Sequence, residues 1–577
     1  MGTHRTPWSR WRAWPSARLA LGLLLGASAL TSGAAGCSRC GGDQKPPEPA
    51  VVAEPPVSQP EGLVADLVVP TPNASWGKLQ RGVGGAMGIL PSTLGGLVCA
   101  FAALDAGLGP EIDGTAPAHG VLAGEPAHPS WALAFKLVDM RKARAMLLDG
   151  DVARFTAKDL GTMTELVSRG APPPVSVALT RGGYLLVASD SDALTKLGPY
   201  ASRTLPTRAV PTSGAAIVEV PGTVFARVKP WALRTWHGFR AEKLDQDEKM
   251  RAAHGGREPD FADPKAIVSA IDDALVRKLD VVGDLARATL ALDVGDKDVR
   301  ARLELVPNEG EGAAAKYIAS LETGDTAPLL DAPSDAHVVG LLREAAAART
   351  EDAASWKTAI QSALGKRVSE AETKKIGSVV DDWTAGRGEA LVVGAFGGGP
   401  RGLFARVAVN DANAASRSLT GVVDLASLPL VRDAAKIREV KRETTEVADV
   451  GKVQVALMER ADAKGRGPTD PRPLGFAWRV GDGLAVVGLG ESPADLLKHA
   501  AKPGTTIGED ATLKAALGAV RGEVTALVVV QPLLDPKRAG PPLPVVLGAG
   551  RNGPRGWVEV LVPDGVIREI ARREIGL

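Results

Sequence analysis

Apolar and polar positions alternate in short stretches, broken by glycine and proline turns, and the same order of stretches occurs twice along the chain. An apolar, strand-like run at Leu63–Val69 precedes Ala74-Ser75-Trp76, which opens a helical pattern; a second run at Ala336–Leu342 precedes Ala354-Ser355-Trp356, which opens another. In both, the serine stands where a helix N-cap is wanted, its hydroxyl accepting from an N–H that has no partner within the helix. Residues 118–138 then read as strand, Gly/Pro turn and strand, and residues 390–409 repeat that order. Asp139 and Asp411 each introduce an alanine-rich helical segment. Val175–Leu186 and Leu474–Val486 carry hairpin signals around Gly182-Gly183 and Gly481-Asp482-Gly483, each followed by a polar turn and a helix. Ala215–Val220 and Thr525–Val530 close the series as matching apolar strands.

Agreement in order, element type and turn chemistry points to a tandem duplication. Hairpins dominate the strand connections and regular βαβ alternation is absent. The expected fold is therefore α+β, a tandem duplication of a mainly antiparallel sheet with helices packed on one face. Longer helical zones are expected over Trp231–Ala253, Pro264–Ala286 and Ala353–Ala385. The boundaries read as a leader at 1–36, a proline-rich tether at 37–62, a first repeat at 63–328 and a second at 329–577. An insertion at Ala461–Pro473, rich in Pro, Gly and charge, marks an exposed loop in the second repeat.

Composition narrows the function classes. Of the 577 residues, 45% are hydrophobic and 23% charged, which excludes wholesale disorder. Lys and Arg total 68 against 67 Asp and Glu, without the basic excess a nucleic-acid binder carries. Three cysteines cannot build a disulfide framework or a four-cysteine zinc site.

The first 36 residues have the pattern of a targeting signal. Arg5, Arg10, Arg12 and Arg18 supply a positive start, Leu19–Leu30 an apolar run, and Ala34-Ala35-Gly36-Cys37 a series of small residues ending in cysteine. This resembles a bacterial lipoprotein signal, with Ala34 where leucine is commonest. The resemblance implies cleavage before Cys37, acylation of Cys37 and attachment to an envelope membrane, most naturally the outer membrane. The alternative is ordinary secretion with cleavage near Ala35 or Gly36. Six prolines between Pro46 and Pro60 favour an extended spacer after the cysteine. Without the four leader arginines, 64 basic side chains face 67 acidic ones, so attachment would rest on acyl chains rather than on overall charge. In composition and layout the remainder resembles the large uncharacterised lipoproteins of high-GC bacteria, a likeness that implies no activity.

The chain carries few signatures of catalytic or metal chemistry. No HExxH pair occurs, and His119 and His128 flank one hairpin turn where solvated side chains are the ordinary reading. Cys37-Ser38-Arg39-Cys40 has CxxC spacing but lies between a leader and a tether, outside any thioredoxin-like context. Cys99 reads as a buried small hydrophobe. Gly397–Gly402 satisfies GxGxxG, yet it leads into a strand rather than a helix and so reads as a hairpin loop. Ser75-Trp76-Gly77-Lys78 matches SxxK without the companion motifs of serine acyl-enzymes. The acidic pairs Asp190/Asp192, Asp296/Asp298 and Asp381/Asp382 suit turns and helix surfaces. The uncharged run Gly82–Leu104 reads as packed core helices or, alternatively, as an apolar wall for a lipid or peptide. The expectation is a non-catalytic envelope protein that binds or scaffolds, with no cofactor, metal or nucleic acid and an envelope protein or apolar ligand as possible partner. Carriage of an apolar ligand and an enzyme with a site assembled only in three dimensions are the alternatives.

Overall fold

The computed structural model describes residues 54–575 apart from 85–87, 89, 126–127, 150–153, 171–172, 212–213, 254–263, 365–366, 397–400, 461–473 and 532–542. The leader, Cys37 and the Ala461–Pro473 insertion lie outside the described residues. The fold is α+β and every pairing with a defined register is antiparallel. The first ten strands are β1 (Leu63–Val69), β2 (Ala118–Glu125), β3 (His128–Lys136), β4 (Phe155–Asp159), β5 (Met163–Ser168), β6 (Ser176–Thr180), β7 (Tyr184–Ala188), β8 (Ala216–Pro221), β9 (Leu285–Val294) and β10 (Asp298–Pro307). The second ten are β11 (Val338–Arg343), β12 (Arg387–Phe396), β13 (Gly402–Val409), β14 (Ile437–Val447), β15 (Gly451–Arg460), β16 (Leu474–Gly481), β17 (Leu484–Gly490), β18 (Glu523–Val530), β19 (Val545–Asn552) and β20 (Arg555–Pro563).

Pairing in the first set runs β4-β5-β6-β7-β3-β2-β1-β8. Pairing in the second runs β14-β15-β16-β17-β13-β12-β11-β18, the same order strand for strand. Registers match as well: Lys136 faces Tyr184 where Ala408 faces Leu484. The Leu137 N–H donates to the Gly183 carbonyl at 2.9 Å, and the Val409 N–H donates to the Gly483 carbonyl at the same distance. Asp482 and Gly483 both have positive φ, as a two-residue hairpin turn requires. Asp139 caps the Met140–Leu148 helix through the N–H groups of Arg141 and Lys142, and Asp411 caps Ala412–Leu425 through those of Asn413 and Ala414.

Compactness divides the chain differently from repetition. One unit comprises the chain up to Pro221 with Thr289–Arg300 and Ile567–Leu577; the other comprises Gly222–Ala288 and Ala301–Val566. The β9–β10 hairpin contributes residues to each.

The inner strands β7 and β17 are apolar on both faces, so helices cover both, not one. Along β7, Leu185 and Val187 join the buried cluster of Val98, Cys99, Leu108 and Leu147, while Leu186 and Ala188 join that of Leu194, Leu197 and Tyr200. Along β17, Ala485 packs with Leu419 and Val423, and Val486 with Leu496 and Leu497. Hairpin connectivity predicts a half-solvated sheet only where alternate positions are polar, and here they are not.

The Ala-Ser-Trp expectation fails. Ser75 is no N-cap: its helix runs Pro72–Val83 behind Thr71, and the Ser75 hydroxyl donates to the Ala215 carbonyl at 3.1 Å. Ser355 lies within the Ala346–Leu364 helix, and while Trp76 is buried with its indole N–H on the Pro91 carbonyl, Trp356 is exposed. The shared Ala-Ser-Trp is thus not an equivalent position. The helical zone expected over Ala353–Ala385 is present as two helices, Ala346–Leu364 and Glu370–Gly386, the second begun by a Ser369–Glu372 capping box. Just before β1, Glu54 pairs with Arg203 at 2.8 Å, and the backbone of Val57 exchanges hydrogen bonds with the Thr204 hydroxyl.

Candidate functional site: a polar cleft in the first repeat

Matched registers allow the two repeats to be compared position by position. In the first, Val68 faces His119 on β2 and Ile217 on β8, and Asp66 faces Glu219. In the second, Leu341 faces Val392 on β12 and Leu527 on β18, and Val339 faces Val529. Asp66, His119 and Glu219 therefore occupy the places of Val339, Val392 and Val529. Period-two alternation puts all three on the sheet face that the Ser191–Pro199 helix covers. Val339, Val392 and Val529 themselves sit in one continuous buried cluster with Leu496, Leu497 and Ile507. The fold is satisfied by valine at these positions, so the polar set is not a requirement of the architecture.

Two further side chains reach this set from a non-repeated segment. The Ser191–Pro199 helix, capped by Asp190, continues into a π-helical turn at Tyr200–Thr204 and a 3₁₀ turn at Leu205–Thr207. Such π turns recur at functional sites because they redirect side chains that a regular helix would aim elsewhere. The Tyr200 hydroxyl donates to Asp66 Oδ2 at 3.1 Å; Arg208 donates to the same oxygen at 2.7 Å and to the Tyr200 oxygen at 2.6 Å. The guanidinium also lies 5.6 Å from the Tyr200 ring centre, within cation–π range. Asp66, His119, Glu219 and Arg208, with Leu67, Val68, Leu205, Ile217 and residues 209–211, line a cleft of about 90 Å³. Pockets for drug-sized ligands run roughly 300–1,000 Å³, so this one suits a single functional group.

Burial sets the protonation states. Asp66 is 9% exposed and His119 5%. Desolvation pushes the His119 imidazole down to about 4, so it is neutral at physiological pH. Desolvation, and then the neighbouring Asp66 charge, push the Tyr200 phenol up to about 12 and hold it as a donor. Asp66 Oδ1 is buried and has no hydrogen-bond donor within the described residues, a condition that costs about 1–3 kcal/mol for a buried polar atom. Asp66 and Glu219, directly opposed on adjacent strands, add like-charge repulsion.

The residues singled out from sequence fall elsewhere or dissolve into structure. His119 pairs with Ala134 and His128 with Glu125 along the same hairpin, which separates the two histidines by roughly 20 Å at about 3.4 Å per residue. No His/Cys/Asp/Glu cluster among the described residues has metal-binding geometry. Cys99 is buried, and desolvation raises its thiol to about 11, as for an inert core cysteine. Gly402 opens β13, so the GxGxxG run does lead into a strand; its first residues, 397–400, lie outside the described ones. Asp190 is a helix cap, and Asp381 and Asp382 pair with Lys357 and Arg417. Of the uncharged run, Leu94–Phe101 is a helix that buries Val98 and Cys99 and packs Gly95 against Gly109.

Sequence reading passed over Asp66 and Glu219 although the signal was present. Aligning Ala215–Val220 with Thr525–Val530 sets Glu219 against Val529, and aligning the apolar strands sets Asp66 against Val339. The contribution of Tyr200 and Arg208 had no such signal, since it depends on a turn that the second repeat lacks. No protein-family model, curated protein or solved structure matches the chain.

Proposed function

We propose that this protein is a non-catalytic, lipid-anchored binding protein of a bacterial envelope, tethered through Cys37, with its binding site in the first repeat. The observation that carries the binding role is the replacement of Val339, Val392 and Val529 by Asp66, His119 and Glu219 in an otherwise equivalent register. A buried carboxylate oxygen without a donor, at the wall of a small cleft, calls for a ligand that brings N–H or O–H groups. Two features weigh against catalysis at the cleft. His119 is too weakly basic for proton transfer near neutrality, and Tyr200 is held protonated. Apolar-ligand carriage has less support, because Leu94–Phe101 packs into the core.

The anchor is supported by the residues before Cys37 alone. Acyl-chain labelling in a bacterial host should mark the wild-type chain and not Cys37→Ala; label on both, or on neither, would refute it. For the cleft, native mass spectrometry of envelope-extracted protein should show a small bound mass. That mass should be lost from the Asp66→Val/His119→Val/Glu219→Val triple variant. Identical spectra for the two proteins would sink the binding assignment.

A further inference from the structure

The repeats differ most in the connection that follows β8 and β18. Residues 531–544 join β18 to β19, whereas residues 222–284 join β8 to β9 and form two helices, Gly222–Ala253 and Pro264–Gly283. The helices run antiparallel and are fastened along their facing sides: Lys229 pairs with Asp280, and Trp236 and Arg240 both donate to Asp272. Insertions into a repeated fold are free of its packing rules, so what they expose is informative.

The first helix exposes an unusual face. Residues 222–241 contain Arg227, Lys229, Arg234 and Arg240 with Phe225, Trp231, Trp236 and Phe239, and no Asp or Glu. Acidic residues appear only afterwards, at Glu242, Asp245, Asp247 and Glu248. Lys229, Trp236 and Arg240 are engaged by the second helix. Trp231 and Phe239, in contrast, are 48% and 50% exposed, with Arg234 exposed between them. Trp231, Arg234, Thr235, Gly238 and Phe239 follow the spacing of one helical face, and the two aromatic rings stand about 12 Å apart along it. No helix among the described residues is long and apolar enough to cross a membrane. Exposed aromatic rings flanked by arginine on a helix of modest hydrophobicity are the chemistry of a segment that lies in the headgroup boundary of a bilayer.

We propose that this outward face seats on an anionic phospholipid surface, with Trp231 and Phe239 entering the headgroup layer and Arg234 meeting lipid phosphates. The proposal rests on the envelope reading for its location but not on acylation of Cys37. It would orient the helical insertion against the membrane, which attachment at a single N-terminal residue does not do.

Flotation with vesicles separates the two ideas. The chain from Ser38 onward keeps every described residue and carries no lipid. It should float with vesicles of phosphatidylglycerol and phosphatidylethanolamine, less with phosphatidylcholine, and less again as salt rises. Trp231→Ala/Phe239→Ala should reduce partitioning about tenfold or more, and Arg234→Glu should weaken it further. Trp356→Ala, at an exposed tryptophan on a different helix, should leave it unchanged. Failure to float with phosphatidylglycerol vesicles, or equal flotation of wild type and the Trp231→Ala/Phe239→Ala variant, would overturn the proposal. Loss of acyl label from Cys37 in cells would bear only on the anchor.

Discussion

Replacing His119 with the valine found at its counterpart, Val392, should change how the protein responds to acid more than how stable it is at neutral pH. The imidazole is buried and titrates at about 4 in the folded chain, against about 6.5 when unfolded. A histidine whose folded value is depressed contributes stability that is fully present above the unfolded value and lost as pH falls toward the folded one. Integrating the proton uptake across that window gives a loss of about 2 kcal/mol by pH 5 and about 3 kcal/mol by pH 4. The assay is denaturant unfolding of wild type and His119→Val at a series of pH values between about 7.5 and 4, taking the difference at each. Carboxylates elsewhere titrate in both proteins and cancel in that difference. Any packing loss from the smaller side chain shifts the whole curve, whereas the histidine contribution appears as a slope below about pH 6.5. If the two proteins lose stability in parallel as pH falls, His119 does not titrate as a buried neutral group and the desolvated cleft is wrongly drawn.

Three further substitutions extend the same reasoning. Arg208→Ala leaves the Asp66 carboxylate buried with only Tyr200 as donor, and should cost roughly 2–4 kcal/mol in unfolding free energy. Asp66→Val leaves Arg208, whose side chain is 44% exposed, able to turn to water and should stay within about 1 kcal/mol of wild type; equal losses would refute the asymmetry. Gly95→Ala would set a Cβ 2.2 Å from the Gly109 carbonyl oxygen, so a drop of roughly 1–3 kcal/mol is expected in thermal unfolding. An unchanged midpoint would mean that Leu94–Phe101 is not tightly packed.

How much of this was legible in the chain depends on the range of the forces involved. Asp139, Asp411, Gly182-Gly183 and Asp482-Gly483 act within a few residues, through caps and turns, and each appears where its chemistry places it. Apolar periodicity and turn spacing, local as well, sufficed for the hairpins, the α+β class and the doubled order of elements. The identical Ala-Ser-Trp words misled for a complementary reason: a helix start is set by the chain that precedes it, and three shared letters say nothing of which face is buried. Which strands become neighbours, whether both sheet faces are covered, and which side chains meet are settled by packing between residues far apart in sequence. Asp66, Tyr200 and Arg208 are joined across more than a hundred positions by a π turn that no local pattern announces. The polar exceptions at Asp66 and Glu219 were written in the aligned strands all along. Their meaning as one desolvated cleft came only from the tertiary structure, because burial is a property of the folded surface and not of any residue alone.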